Sequence, residues 1–238
     1  MEKAPNDSLP ASEDILRLIL DHLKPITYPD IVQPPEQMSL ENPVGWGARV
    51  YSYAALRHLT ALLDGMLSLF DSGNSPAARI VARSAYEVGA HAYYVKKHLK
   101  QHIDKKDFAA AWKFLTPIAT ASRYISEQNP EENDLFPLPA HISKVVNCFR
   151  EVTPQDDDYS YLSEFIHPNA MAFLQHYRRI NPTTIRFQSS TVHGFLGSIV
   201  TASTQGIAAI YDLLGLANER DVREPLHKLI RKIVDLAR

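Results

Sequence analysis

Apolar residues in this chain of 238 residues recur at spacings of three and four, and the strict alternation of a half-buried strand is nearly absent. Glycine is also scarce, with nine residues in all. The segment SEDILRLILDHLK shows the pattern most clearly, with an apolar stripe formed by Ile15, Leu16, Ile19, Leu20 and Leu23. We therefore predict an all-α fold, a multi-helix bundle.

Capping residues and prolines indicate where the helices begin and end. Ser12 is a predicted N-cap, as is Ser75, which precedes Pro76 at a first helical position. The later predicted helices span residues 48–71, 76–101, 107–128 with a kink at Pro117, 140–152, a segment ending near residue 167, 169–179, 191–216 and 224–236. The stretch PTTIRFQ is strand-like but has no evident partner, so we interpret it as a connector.

The domain organisation follows from these elements. Residues 1–47 form an N-terminal helix and a proline-rich extended connection, and residues 48–238 form the helical bundle, all within a single domain. Two long helices joined by a short connection predict an antiparallel hairpin at residues 48–101, on which the bundle is built.

Composition narrows the classes of partner. A net charge of −2 gives no long-range attraction for nucleic acid or anionic lipid. The single Cys148 lies on an apolar stripe, which predicts a buried and inert thiol. The N-terminus does not resemble a signal peptide and no apolar run reaches about 20 residues, so we expect a cytoplasmic protein without a membrane partner. A homodimer would suit such a bundle, although no sequence feature specifies one.

The stretch AARIVARSAYEVGAHAYYV carries polar residues on consecutive turns, namely Arg79, Arg83, Glu87 and His91. Residues four apart are neighbours on one face of a helix. Small apolar residues flank this row, so the helix has little polar surface to offer water. We predict that Arg83 and Glu87 are a substantially buried pair, which either braces the bundle or lines a polar pocket within it.

A second row of polar residues occurs in DYSYLSEFIHPNA, where Tyr159, Ser163 and His167 also recur every four residues. Pro168 favours a helix end at His167, where the dipole stabilises a protonated imidazole. One interpretation places these three side chains in a functional site. In the other, Ser163 bonds to its own helix and His167 only caps it.

Together, the segments ARSAYE and YSYLSEFIHP resemble an uncharacterised bacterial all-helical family, a domain of unknown function with Arg-x-x-x-Glu and Tyr-x-x-x-Ser-x-x-x-His motifs. The resemblance covers roughly residues 49–167. It implies a helical fold in which the two motifs meet, and it implies no reaction. Families of this kind are compared with helical HEPN ribonuclease toxins.

Three specific chemistries have weaker support. A HEPN-like nuclease needs Arg and His four to six residues apart, and such pairs occur at chance frequency: Arg17/His22, Arg186/His193 and Arg220/His227. A di-metal oxidase needs two Glu-x-x-His motifs, for which Glu164/His167 and Glu224/His227 have the spacing. His98 and His102 have zinc-ligand spacing, but they lie in a basic helix end that the helix dipole explains.

We therefore expect no metal and no cofactor. The favoured hypothesis is a ligand-binding or interaction module, with a role in bacterial stress or phage defence. The predicted site combines Arg79, Arg83, Glu87, Tyr159, Ser163 and His167, and it would take a small polar or anionic ligand or a protein partner. The alternative is a metal-independent HEPN-like ribonuclease with His167 as the candidate catalytic residue and RNA as the partner. A di-metal carboxylate oxidase is third.

Overall fold

The computed structural model describes residues 11–29, 32–33, 41–119, 141–153, 158–164, 177–181, 184–187 and 195–236. Within them the elements are α1 (Ser12–Leu23), α2 (Glu41–Asp71), α3 (Ser75–Asp104), α4 (Phe108–Ala119), α5 (Ile142–Phe149), α6 (Asp158–Glu164), β1 (Tyr177–Asn181), β2 (Thr184–Phe187), α7 (Leu196–Leu216) and α8 (Arg220–Leu236). The predicted multi-helix bundle is confirmed.

Helix α3 is the centre of the bundle, because it packs against α2, α4, α5, α6 and α7. Residues 72–74 join α2 to α3, and Tyr51, early in α2, hydrogen-bonds to His91, late in α3. Farther along the pair, His58 and Ser84 line the same groove. These contacts place the start of α2 beside the later part of α3.

Helices α3 and α7 cross at two glycines. A Cβ atom placed on Gly89 would lie 2.2 Å from the carbonyl oxygen of Ala202, and one placed on Gly206 would lie 2.6 Å from Gly89 Cα. Both distances are far below a van der Waals contact, so only hydrogen atoms fit at this crossing. The predicted close approach of small residues on α3 has its structural basis here.

Helix α7 is also long and apolar enough, by length and composition alone, to cross a membrane. From the sequence we expected no apolar run of about 20 residues. Half of the apolar window of α7 is buried inside the protein. Ile199, Ala202, Ile207 and Ile210 are among its core residues.

Helix α2 begins earlier than expected, at Glu41 instead of residue 48. Pro43 is tolerated there because the first four N–H groups of a helix have no intrahelical partner. A Cβ atom on Gly47 would lie 2.9 Å from Leu115 Cδ2, and one on Gly45 would lie 3.0 Å from the Leu216 carbonyl oxygen. These glycines let the first turns of α2 pack closely, so tertiary packing outweighs their low helix propensity.

The predicted N-caps are displaced by one residue. Asn74, not Ser75, caps α3, since its side chain accepts a hydrogen bond of 3.3 Å from the Ala77 amide. Ala11 precedes α1 and makes no side-chain cap bond, so the predicted cap at Ser12 is wrong as well. In both cases the serine lies within the helix that follows.

The segment around residues 177–187 forms a two-stranded antiparallel ribbon, which corrects two predictions. Residues 177–179 are in a strand instead of a helix, and the strand-like stretch has a partner after all. The register pairs Tyr177 with Phe187 and Arg178 with Arg186. The two adjacent segments supply each other's backbone hydrogen bonds.

The ends of the remaining helices differ from the predicted ends. Helix α8 begins at Arg220, so Pro225 lies inside it instead of at its start. Helix α7 begins at Leu196, five residues later than predicted. Pro117 lies within α4, which is described as far as Ala119. The rest of the predicted helix at 107–128 lies outside the described residues.

Candidate functional site

Three side chains from α3 and α6 form a polar cluster, which we call the Arg83 cluster: Arg83, Glu87 and Tyr159. A terminal guanidinium nitrogen of Arg83 donates to the Tyr159 hydroxyl at 2.8 Å, and that hydroxyl donates to Glu87 Oε1 at 3.0 Å. Arg83 Nε lies 3.1 Å from the same carboxylate oxygen, an ion-pair contact without hydrogen-bond alignment. The guanidinium carbon also lies 5.2 Å from the centre of the Tyr159 ring. The structure thus brings together residues of both sequence motifs.

The burial of this cluster is intermediate. The side chains of Arg83 and Glu87 are 24% and 31% exposed, so the prediction of a substantially buried pair is too strong. The buried guanidinium is that of Arg79, which is 1% exposed and lies 5.8 Å from the centre of the Phe195 ring. Burial lowers the pKa of Arg79 from its ordinary value. Each step of four residues rotates the row by about 40°, which turns Arg79 into the core and Arg83 toward the protein's edge.

The other predicted residues lie elsewhere or outside the described residues. The Ser163 hydroxyl donates to the carbonyl oxygen of Tyr159, four residues earlier, at 2.7 Å. This is the bond to its own helix that the second interpretation of this row predicts. His167 lies outside the described residues, so its place in the site and its catalytic role stay predictions.

Glu87 also faces a groove between α2 and α3, with a volume of about 640 Å³, which we call the α2–α3 groove. Its described polar lining consists of Tyr51, His58, Ser84, Glu87 and His91. Its described apolar lining consists of Ala54, Ala55, Val88, Ile118 and Ile142. The Arg83 cluster therefore fixes one wall residue of a groove that combines apolar surface with a few polar groups, as small-molecule sites do.

His91 lies on the same wall of the groove, one helical turn after Glu87, and it contacts α2. The Tyr51 hydroxyl lies 2.9 Å from His91 Nδ1, and the two rings are 5.6 Å apart between centres. Burial raises the pKa of the Tyr51 hydroxyl well above its ordinary value, and burial lowers the pKa of His91. At neutral pH the groove thus contains a neutral imidazole and a protonated phenol.

We expect a pH dependence of stability from His91 and from His98, whose pKa is also lowered, first by burial and then by Lys97. Between the ordinary histidine pKa of about 6.5 and the lower folded value, the unfolded chain binds more protons, so acidification favours unfolding. The contribution of these histidines to the free energy of unfolding should be fully present above pH 7 and should decrease as the pH falls below about 6.5.

Urea unfolding at four pH values between 7.5 and 5.5 checks this expectation. The double variant His91→Gln, His98→Gln should show a flatter profile over the same range. A wild-type profile that is already flat would contradict the lowered histidine pKa values.

The predicted alternative sites receive little support from the geometry. Lysines of the basic end of α3 are in ion pairs: Lys96 with Asp212 at 2.6 Å, Lys97 with Glu151, and Lys100 with Asp104 at 2.9 Å. These carboxylates reduce the positive charge available to a phosphate backbone.

The geometry of the candidate metal ligands also gives the metal hypotheses little support. Glu224 is exposed and pairs with Lys228 at 2.7 Å, and His227 lies on the exposed face of α8. His98 and His102 both pack against the Phe114 ring. Across the described ranges no three His, Cys, Asp or Glu side chains are grouped to hold a metal ion.

Of the Arg and His pairs that a nuclease would need, Arg17 and His22 lie on α1 and Arg220 and His227 lie on α8, whereas His193 lies outside the described residues. Arg17 binds Glu13 at 2.8 Å and Asp71 at 2.5 Å, and His22 contacts the Leu18 carbonyl at 2.8 Å. Neither Arg17 nor His22 lines the α2–α3 groove.

Cys148 is buried as predicted, and burial raises the pKa of its thiol, which suits an inert side chain.

Sequence reasoning missed the contribution of α2 to the groove. Tyr51 and His58 are seven residues apart, a spacing that places both on one helix face. That spacing was the available signal. The spacing of seven is a weak signal because neither residue carries a charge that would mark a polar row.

Comparison with protein-family models, with curated proteins and with solved structures finds no match for this chain. The resemblance to the bacterial helical family stays a prediction. The same holds for the expected cytoplasmic location and for the role in stress or phage defence.

Proposed function

We propose that this protein is a ligand-binding module and that its binding site is the α2–α3 groove. The single observation that carries the proposal is that Glu87, one of the polar residues that line a groove of about 640 Å³, is held in place by Arg83 and Tyr159. A volume of this size suits a small organic molecule.

The fixed geometry of the carboxylate supports binding. Two neighbours hold its Oε1 atom, so a ligand that hydrogen-bonds to Glu87 does not have to order a free side chain. Tyr51 restrains the His91 ring in a similar way. The groove therefore contains two polar groups whose positions are set before a ligand arrives.

Binding can be tested with a panel of small neutral fragments and ¹⁵N-labelled protein. We expect several fragments to shift the backbone amide signals of Ala54, Ser84 and Val88 in two-dimensional NMR spectra. Ala54→Trp should abolish these shifts, because Ala54 is an exposed residue of the groove wall and the indole would occupy the site.

The matched control is Ala109→Trp, which places the same side chain at an exposed position of α4 that does not line the groove. This variant should bind the fragments like the wild type. Shifts that persist in Ala54→Trp, or that cluster on another surface, would refute the groove as the binding site.

A further inference from the structure

The hydrogen bond between Tyr51 and His91 determines which imidazole nitrogen carries the hydrogen. Within the described part of the chain, the Tyr51 hydroxyl has His91 Nδ1 as its one hydrogen-bond partner, at 2.9 Å. Tyr51 is 7% exposed, and a buried O–H group without an acceptor is costly. The hydroxyl therefore donates to Nδ1, which leaves the hydrogen of the neutral ring on Nε2.

His91 Nε2 is available to a ligand. His91 lines the α2–α3 groove, and its contacts with described residues are the bond at Nδ1 and ring packing with Tyr51 and Tyr94. Nε2 is not among the buried nitrogen and oxygen atoms that lack a partner. The groove wall consequently presents an N–H donor at this position.

Glu87 supplies an acceptor one helical turn earlier. Its Oε1 atom accepts from Tyr159 and faces Arg83, whereas Oε2 accepts no hydrogen bond from any residue in the described ranges. Arg83 compensates the charge of the carboxylate. The wall thus carries an acceptor and a donor about 6 Å apart at their Cβ atoms, with little net charge.

We propose that the α2–α3 groove recognises a neutral ligand with an N–H donor beside a carbonyl acceptor, the edge of a lactam. The ligand N–H donates to Glu87 Oε2, and the ligand carbonyl accepts from His91 Nε2–H. This inference rests on the proposed function, because it assigns a ligand class to the same groove. It also disfavours an anionic ligand, since an anion would face the accessible oxygen of Glu87.

Two probes of nearly equal shape test the ligand class: 2-pyridone, which has both groups, and N-methyl-2-pyridone, which lacks the donor. NMR titration of the wild-type protein should show that 2-pyridone binds in the groove at least about tenfold more tightly than N-methyl-2-pyridone does. Equal affinities would overturn the lactam assignment. They would leave groove binding intact, whereas a panel in which no fragment binds the groove would refute both proposals.

The tautomer is tested separately. In ¹⁵N spectra of the histidine rings, the wild-type His91 should show a protonated Nε2, and Tyr51→Phe should lose this preference and weaken 2-pyridone binding several-fold. Tyr93→Phe is the matched control, since Tyr93 packs on Phe149 and lies outside the described lining of the groove. A protonated Nδ1 in the wild type, or equal effects of the two variants, would contradict the assigned donor.

Discussion

Gly89→Ala is expected to lower the free energy of unfolding by about 3 kcal/mol, because α3 and α7 cannot keep their crossing distance. The new methyl group would lie 2.2 Å from the Ala202 carbonyl oxygen, and the atom it meets is backbone instead of a flexible side-chain end. Gly206→Ala should have a similar effect for the same reason. Thermal unfolding should show a midpoint lowered by roughly 10 °C in a chain of this size.

Gly65→Ala is the matched control. Gly65 also lies inside a long helix, but a Cβ atom placed there meets no atom within 4 Å. Alanine has the higher helix propensity, so this variant should be more stable than the wild type by about 0.5–1 kcal/mol. If Gly89→Ala were stabilising as well, the close crossing of α3 and α7 would be refuted.

Tyr159→Ala is the second variant with a large expected effect. We expect it to lower the free energy of unfolding by about 2–3 kcal/mol. The Tyr159 ring lies 5.8 Å from the Tyr86 ring and faces the Arg83 guanidinium, so its removal takes away both of these contacts between α6 and α3. Tyr159→Phe removes only the hydroxyl between Arg83 and Glu87 and should cost about 1 kcal/mol. Chemical denaturation measures both values.

Ser163→Ala is the control in the same helix. In the wild type the Ser163 hydroxyl donates to the Tyr159 carbonyl oxygen and is not a member of the Arg83 cluster. Its stability should therefore stay within about 0.5 kcal/mol of the wild type. A large loss for Ser163→Ala together with none for Tyr159→Phe would show that the Arg83 cluster does not join the two helices.

The helical class could be predicted from the sequence because periods of three and four report directly on which face of a segment is apolar. The helix ends were less predictable. The start of α2 at Glu41 depends on close packing around Gly47, which local patterns do not encode. Asn74 and Ser75 are adjacent and both are good N-cap residues, so the sequence alone does not choose between them. The ribbon at 177–187 was missed because strand pairing is a relation between two segments, and neither segment shows it alone.

The candidate site was predictable where the spacing of four residues applies. Arg83 and Glu87 are adjacent for that reason, and the structure brings Tyr159 to them. The orientation of the row was not predictable, since a rotation of the helix by one residue exchanges buried and exposed positions. Hence Arg79, not Arg83, is the buried arginine. The part played by Tyr51 depends on how α2 lies against α3, which is a tertiary property.

The most direct measurement is a crystal structure of the protein soaked with 2-pyridone. Our account predicts that density for the ring lies between α2 and α3, with its nitrogen within hydrogen-bond distance of Glu87 and its carbonyl oxygen near His91 Nε2. A ring bound on another surface, or a Glu87 side chain turned away from Arg83 and Tyr159 into solvent, would contradict it.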